Sequence, residues 1–85
     1  MERFAAKPRE IVMQVLVRNP THPKALEMAG TAAYEVRDYA GAANFWRELE
    51  AQLAPGSQEQ RELAAAIARA DLMAAAEPTF AQAAR

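Results

Sequence analysis

Residues 23–55, PKALEMAGTAAYEVRDYAGAANFWRELEAQLAP, decide the fold of this 85-residue chain. Residues spaced three and four apart lie on one face of a helix, and this stretch has two apolar stripes with that spacing, separated by a break at residues 36–38. The stripes comprise Leu26, Ala29, Gly30 and Ala33, then Ala42, Phe45, Trp46 and Leu49. Two helices joined by so short a link must fold back as an antiparallel hairpin.

The flanking sequence predicts one helix on each side of this hairpin, so we expect an all-α domain over residues 1–85. Proline positions and capping residues set the predicted ranges of the four antiparallel helices, which are 8–18, 22–36, 39–53 and 58–76.

Three helix starts have a candidate cap. Thr21 is expected to cap the second helix and Asp38 the third, and Ser57 forms a capping box with Gln60 before the fourth. We also expect Gly41 to allow a close crossing against the small residues of the second helix.

Composition limits both the core and the class of partner. About a quarter of the chain is alanine, so the core must be thin and must rely on close helix packing around Trp46 and Phe45. The net charge is −1 with acids and bases interspersed, which disfavours nucleic acid as a partner. No apolar run is long enough to span a membrane, and the first residues lack the apolar core of a signal peptide.

The residues give little support to catalysis or metal binding. His22 is the single histidine and has no cysteine or acid at metal-ligand spacing, so we expect a solvated loop residue. Ser57 has no second histidine to activate it as a nucleophile. The acids are expected to lie on solvated helix faces; they include Glu48, Glu50, Glu59 and Glu62. We therefore expect no enzyme activity, no metal and no cofactor.

The hairpin resembles one tetratricopeptide repeat (TPR), a motif of about 34 residues with the pattern W-x2-L-G-x2-Y, A-x3-F and P. Leu26 stands at the place of the Trp, and Ala29-Gly30 at that of the Leu-Gly pair. Ala42 and Trp46 match the A-x3-F element. Arg37 occupies the turn between the helices, where the family usually has Gly.

The same repeat length relates the flanking helices to the hairpin. Counting back one repeat from Ala54 reaches Pro20, which makes the first helix equivalent to the second helix of a preceding repeat. Counting on from Ala33 reaches Ile67, which makes the fourth helix equivalent to the first helix of a following repeat. The resemblance thus implies a right-handed α-α superhelix fragment, and we expect the chain to be a fragment of a larger repeat protein.

The sequence resembles one subgroup of TPR proteins more than it resembles TPR proteins in general. The run AGTAAYEVRDYAGAANFWRELEAQLAPGSQE, residues 29–59, is similar to the TPR domain of cytochrome c biogenesis factors of the CcmI/NrfG type, and the resemblance covers roughly residues 19–73. It implies a periplasmic scaffold that binds the C-terminal segment of an apocytochrome c, or a haem lyase subunit, without binding haem. If the resemblance to cytochrome c biogenesis factors does not hold, we expect the protein in the cytoplasm.

The TPR resemblance also implies a peptide-binding groove lined by the second and fourth helices. Its predicted residues are Lys24, Glu27, Met28, Thr31, Tyr34 and Glu35, with Gln58, Arg61, Glu62, Ala65, Ala68 and Arg69. Met28 and Tyr34 suit partner contact, the alternative being that they pack on the first or third helix. Arg61 and Arg69 suit a carboxylate, the alternative being ion pairs with nearby glutamates in solvent. Thr31 replaces the asparagine of TPR domains that clamp chaperone tails, which disfavours that role.

Two other interpretations stay open. A repeat unit cannot bury its apolar face alone, and about three repeats are normally needed for stability. This chain has fewer, so it could be a structural TPR segment that self-associates as a homo-oligomer. It could also be a general TPR adaptor unrelated to cytochrome c.

Overall fold

The computed structural model describes residues 8–76, and this part of the chain is all-helical, as predicted. Its helices are α1 (Pro8–Arg18), α2 (Pro23–Glu35), α3 (Tyr39–Glu50) and α4 (Gln58–Ala76). Each helix packs against the next one along the chain. Among these four helices, none combines the length and the hydropathy of a membrane span. The predicted superhelical handedness stays a prediction.

The start of α2 differs in one detail from its prediction. The cap is His22, whose Nδ1 accepts a hydrogen bond from the backbone N–H of Ala25 at 3.1 Å. Thr21 instead donates its hydroxyl to the side-chain oxygen of Asn19 at 3.3 Å. The prediction of Thr21 as the cap is therefore wrong, because His22 directly precedes the first helical residue, Pro23. His22 is half-buried and makes a structural contact, unlike the solvated loop residue that we expected.

A Schellman motif ends α2. The N–H of Arg37 donates to the carbonyl of Tyr34 at 3.0 Å, and the N–H of Asp38 donates to the carbonyl of Ala33 at 2.8 Å. The motif requires a left-handed residue, and Arg37 has a φ of 67°. A side chain at such a φ is strained, and glycine would avoid this strain. Asp38 then caps α3, as predicted, by accepting the N–H of Gly41 at 3.0 Å.

α3 ends at Glu50, three residues before its predicted end. The N–H groups of Gln52 and Leu53 bond to carbonyls three residues back, so the chain leaves the α-helix through a tighter turn.

The capping box before α4 is only half formed. Ser57 Oγ accepts the N–H of Gln60 at 3.1 Å, as predicted. The Gln60 side chain does not reach back to Ser57; its Oε1 accepts the N–H of Gly56 at 3.3 Å. Its Nε2 donates to Glu50 at 2.7 Å. Gln60 thus ties the start of α4 to the end of α3.

Small residues pack around Trp46 to form the main core. Its buried members are Ala33, Ala42, Ala43, Trp46, Ile67 and Ala70. A second cluster between α1 and α2 contains Val12, Ala25 and Ala29. Phe45 is half-buried and packs against both clusters. The predictions of a thin core and of a buried Trp46 are confirmed.

Gly30 of α2 lies directly against Trp46 of α3. A Cβ added there would lie 2.1 Å from Nε1 of Trp46, so no larger residue fits without displacing the indole. A Cβ at Gly41 would instead meet the carboxylate of Asp38, the cap of its own helix, at 2.4 Å. The predicted close crossing is therefore present, but it depends on Gly30 and not on Gly41.

Candidate binding groove

A groove of about 570 Å³ lies between α2 and α4. We call it the α2–α4 groove. Its walls are Pro23, Lys24, Glu27 and Thr31 on one side and Glu59, Glu62, Leu63 and Ala66 on the other, and its floor is Trp46, Leu49 and Leu53. Because α2 and α4 both pack on α3, side chains of α3 and of the turn after it lie at the bottom of the space between them.

Helical spacing produces both walls. On α2, Lys24, Glu27 and Thr31 follow one another at intervals of three and four residues. On α4, Glu59, Glu62 and Ala66 do the same. Each helix buries an adjacent face against α3, so the wall residues lie at the edge of the core.

The two walls differ in charge. On α2, Nζ of Lys24 lies 3.4 Å from Oε1 of Glu27, which makes that wall nearly neutral. On α4, Glu59 and Glu62 face the groove with no basic residue among the wall residues of that helix. Glu62 accepts a hydrogen bond from the neutral side chain of Gln58 at 2.9 Å. The groove is thus apolar at its floor and acidic along α4.

A second cavity, of about 410 Å³, lies between α1 and α2. We call it the α1–α2 cavity. Its lining residues are Arg9, Val12, Lys24, Glu27, Met28, Thr31, Ala32, Glu35 and Val36. It contains two basic and two acidic side chains, so its charges balance.

The structure divides the predicted residues of α2 between these two sites. Lys24, Glu27 and Thr31 line both, whereas Met28 and Glu35 line only the α1–α2 cavity. Tyr34 lines neither.

The ring of Tyr34 packs on α3. Its centroid lies 5.0 Å from that of Tyr39 and 5.8 Å from that of Trp46. Aromatic pairs at such distances stabilise a core beyond the area that they bury. Tyr34 thus packs on the third helix, which was the alternative given for it, and its role in partner contact stays a prediction.

The structure brings only one of the predicted α4 residues, Glu62, into the groove. The others are exposed and line neither site; they are Gln58, Arg61, Ala65, Ala68 and Arg69. Arg61 donates to the carbonyl of Gly56 in the α3–α4 turn, which is neither a carboxylate nor a nearby glutamate. Adding one repeat length to each α2 position identifies the face of α4 that is equivalent to the groove face of α2. The two walls of the groove are instead the sides of α2 and α4 that face each other. The α4 wall therefore lies on a neighbouring face.

Sequence reasoning missed most of the groove floor and the α4 wall. Leu49 was expected only on the apolar stripe of the third helix and Glu59 only on a solvated face, and Leu63 was not among the predicted groove residues. One sequence pattern could have predicted the α4 wall: two acids three residues apart, Glu59 and Glu62, lie beside an apolar stripe.

Within residues 8–76, no group of three or more His, Cys, Asp or Glu side chains is placed to hold a metal ion. Comparison of the chain with protein-family models, curated proteins and solved structures finds no match. The TPR resemblance therefore stays a prediction from the sequence motifs quoted above.

Proposed function

We propose that this chain is a non-catalytic protein-interaction module of the TPR type, which binds a segment of another protein in the α2–α4 groove. The observation that carries the proposal is the apolar floor, because Trp46, Leu49 and Leu53 line the groove between the α2 and α4 walls. A concave apolar surface with a few polar groups is the usual form of a ligand site. Helical segments commonly bind in such grooves through apolar anchors.

The floor supplies the affinity. Full burial of one Leu-sized side chain contributes about 1.5–3 kcal/mol. Trp46 is held in place by Gly30 behind it and Tyr34 beside it. A floor that is already ordered lowers the entropic cost of binding.

The narrower function in this proposal is in cytochrome c maturation. Its support is the similarity of residues 29–59 to the CcmI/NrfG type of biogenesis factor. The partner would then be an apocytochrome c C-terminal segment or a haem lyase subunit, and the compartment the periplasm.

Self-association is the second candidate function, and exposed apolar residues on α1 and α4 favour it. Val17 on α1 is 80% exposed and Leu72 on α4 is 69% exposed. Met13 on α1 is also exposed. Sedimentation at increasing protein concentration tests this candidate: a monomer at every concentration would remove it.

Selection of a random short-peptide display library on the whole chain tests the main proposal. We expect enriched peptides whose binding is lost in Thr31→Trp, because the larger side chain fills the groove from an exposed position. Met28→Trp blocks only the α1–α2 cavity, and Ala68→Trp lies outside both sites, so both should bind normally. If no peptide is enriched, or if Thr31→Trp binds as well as the wild type, the proposal is wrong.

A further inference from the structure

We infer that the segment bound in the α2–α4 groove is amphipathic, with bulky apolar side chains flanked by Lys or Arg. This inference rests on the proposed function and adds the chemistry of the partner. It follows from the floor and the two walls of the groove taken together.

The floor requires bulky apolar side chains. Its residues Trp46, Leu49 and Leu53 offer no polar group to a ligand apart from the indole N–H, and the adjoining wall residue Leu63 offers none. A polar side chain placed there would lose its hydrogen bonds to water without replacing them. An apolar side chain gains by leaving water.

The walls require positive charge on the partner. They contain one lysine and three glutamates, a local charge of −2, while the whole chain has a net charge of −1. Lys24 is paired with Glu27, which leaves the negative charge concentrated on Glu59 and Glu62 along α4. A partner with Lys or Arg on its α4 side would match this charge, and an acidic partner would be repelled.

The helix dipole accounts for Glu59 but not for Glu62, whose carboxylate accepts a hydrogen bond from Gln58. Glu59 lies in the first turn of α4, where the helix dipole stabilises an acid. That effect falls off within the first turn, so it does not account for Glu62 three residues later.

The α1–α2 cavity provides the contrast. Arg9 and Lys24 balance Glu27 and Glu35 around it, so this cavity does not select a partner by the sign of its charge. Of the two sites defined above, only the α2–α4 groove combines an apolar floor with an uncompensated charge.

The test compares the peptides selected by the whole chain with those selected by charge variants. Peptides that Thr31→Trp blocks and Met28→Trp does not should contain Lys or Arg beside apolar residues. Their affinity should fall about three- to tenfold in the double variant Glu59→Gln/Glu62→Gln, because two rim charge pairs are lost. The variant Glu59→Lys/Glu62→Lys should select peptides with acidic flanks instead.

Glu35→Gln/Glu48→Gln is the matched control, since it removes the same charge from exposed positions outside the groove and should leave the affinity unchanged. Groove-binding peptides with neutral or acidic flanks would overturn this inference and leave the proposed function standing. A dimer of the chain that Thr31→Trp abolishes would also overturn it, because a second copy would then occupy the groove. If no peptide is blocked by Thr31→Trp, both conclusions are wrong.

Discussion

The indole nitrogen of Trp46 lies so close to the backbone of Gly30 that a Cβ at residue 30 would be only 2.1 Å away. This contact joins the core to the candidate site, because Trp46 is both the largest buried residue of the main cluster and part of the groove floor. The position of the floor therefore depends on a residue without a side chain.

Gly30→Ala should lower the stability of the protein. Alanine is favoured over glycine in a helix by about 1 kcal/mol, but overpacking costs about 1–3 kcal/mol. We expect the melting temperature by circular dichroism to fall, and to fall less when the same change is made in a Trp46→Phe background. A higher melting temperature in Gly30→Ala would show that the indole does not pack on this helix face.

Arg37→Gly should be more stable than Arg37→Ala by about 1 kcal/mol, because only glycine adopts the left-handed conformation without strain. Both variants remove the arginine side chain, so their difference isolates the backbone effect. For a domain of this size the expected difference in melting temperature is about 4–8 °C. Equal melting temperatures would contradict the left-handed φ at Arg37.

His22→Ala should cost about 0.5–2 kcal/mol, because the N–H of Ala25 loses its acceptor. His22→Asp should retain most of the stability, since aspartate is a strong helix cap. Thr21→Ala is the matched control and should change the free energy of unfolding by less than about 0.5 kcal/mol. Urea unfolding measures all three, and the reverse order for His22 and Thr21 would restore Thr21 as the cap.

Arg47 connects α3 to α4 through Nη2, which lies 2.6 Å from both carboxylate oxygens of Asp71. Both side chains are about half exposed, so we expect a coupling energy below about 1 kcal/mol that decreases with added salt. A double-mutant cycle with Arg47→Ala and Asp71→Ala measures it. Neither residue lines the groove, so peptide binding should persist in both variants. A coupling energy that does not respond to salt would contradict this view of the pair.

The helices could be predicted because local signals mark their ends. Prolines at positions 8 and 23 and the cap Asp38 gave starts that the structure reproduces within one residue. The sequence-based prediction ended α3 three residues too late, because no proline or glycine marks the tighter turn that follows Glu50. The His22 cap was missed because an imidazole is an uncommon acceptor at a helix start.

The groove could be predicted only in part. The TPR resemblance implied a groove lined by Lys24, Glu27 and Thr31 of α2, and these three residues line the α2–α4 groove. Which residues form the α4 wall depends on how α4 is rotated about its axis against α3. Counting by one repeat length does not predict this rotation. Arg61 and Ala65 were therefore expected in the groove and lie on an exposed face.

The most direct test of the central claim is a map of backbone amide chemical shifts during titration with a selected peptide. Binding in the α2–α4 groove predicts the largest changes at Thr31, Glu59, Glu62 and Leu63, with a shift of the Trp46 indole N–H. Changes concentrated at Met28 and residues 8–18, or on the outer face of α4, would contradict the claim.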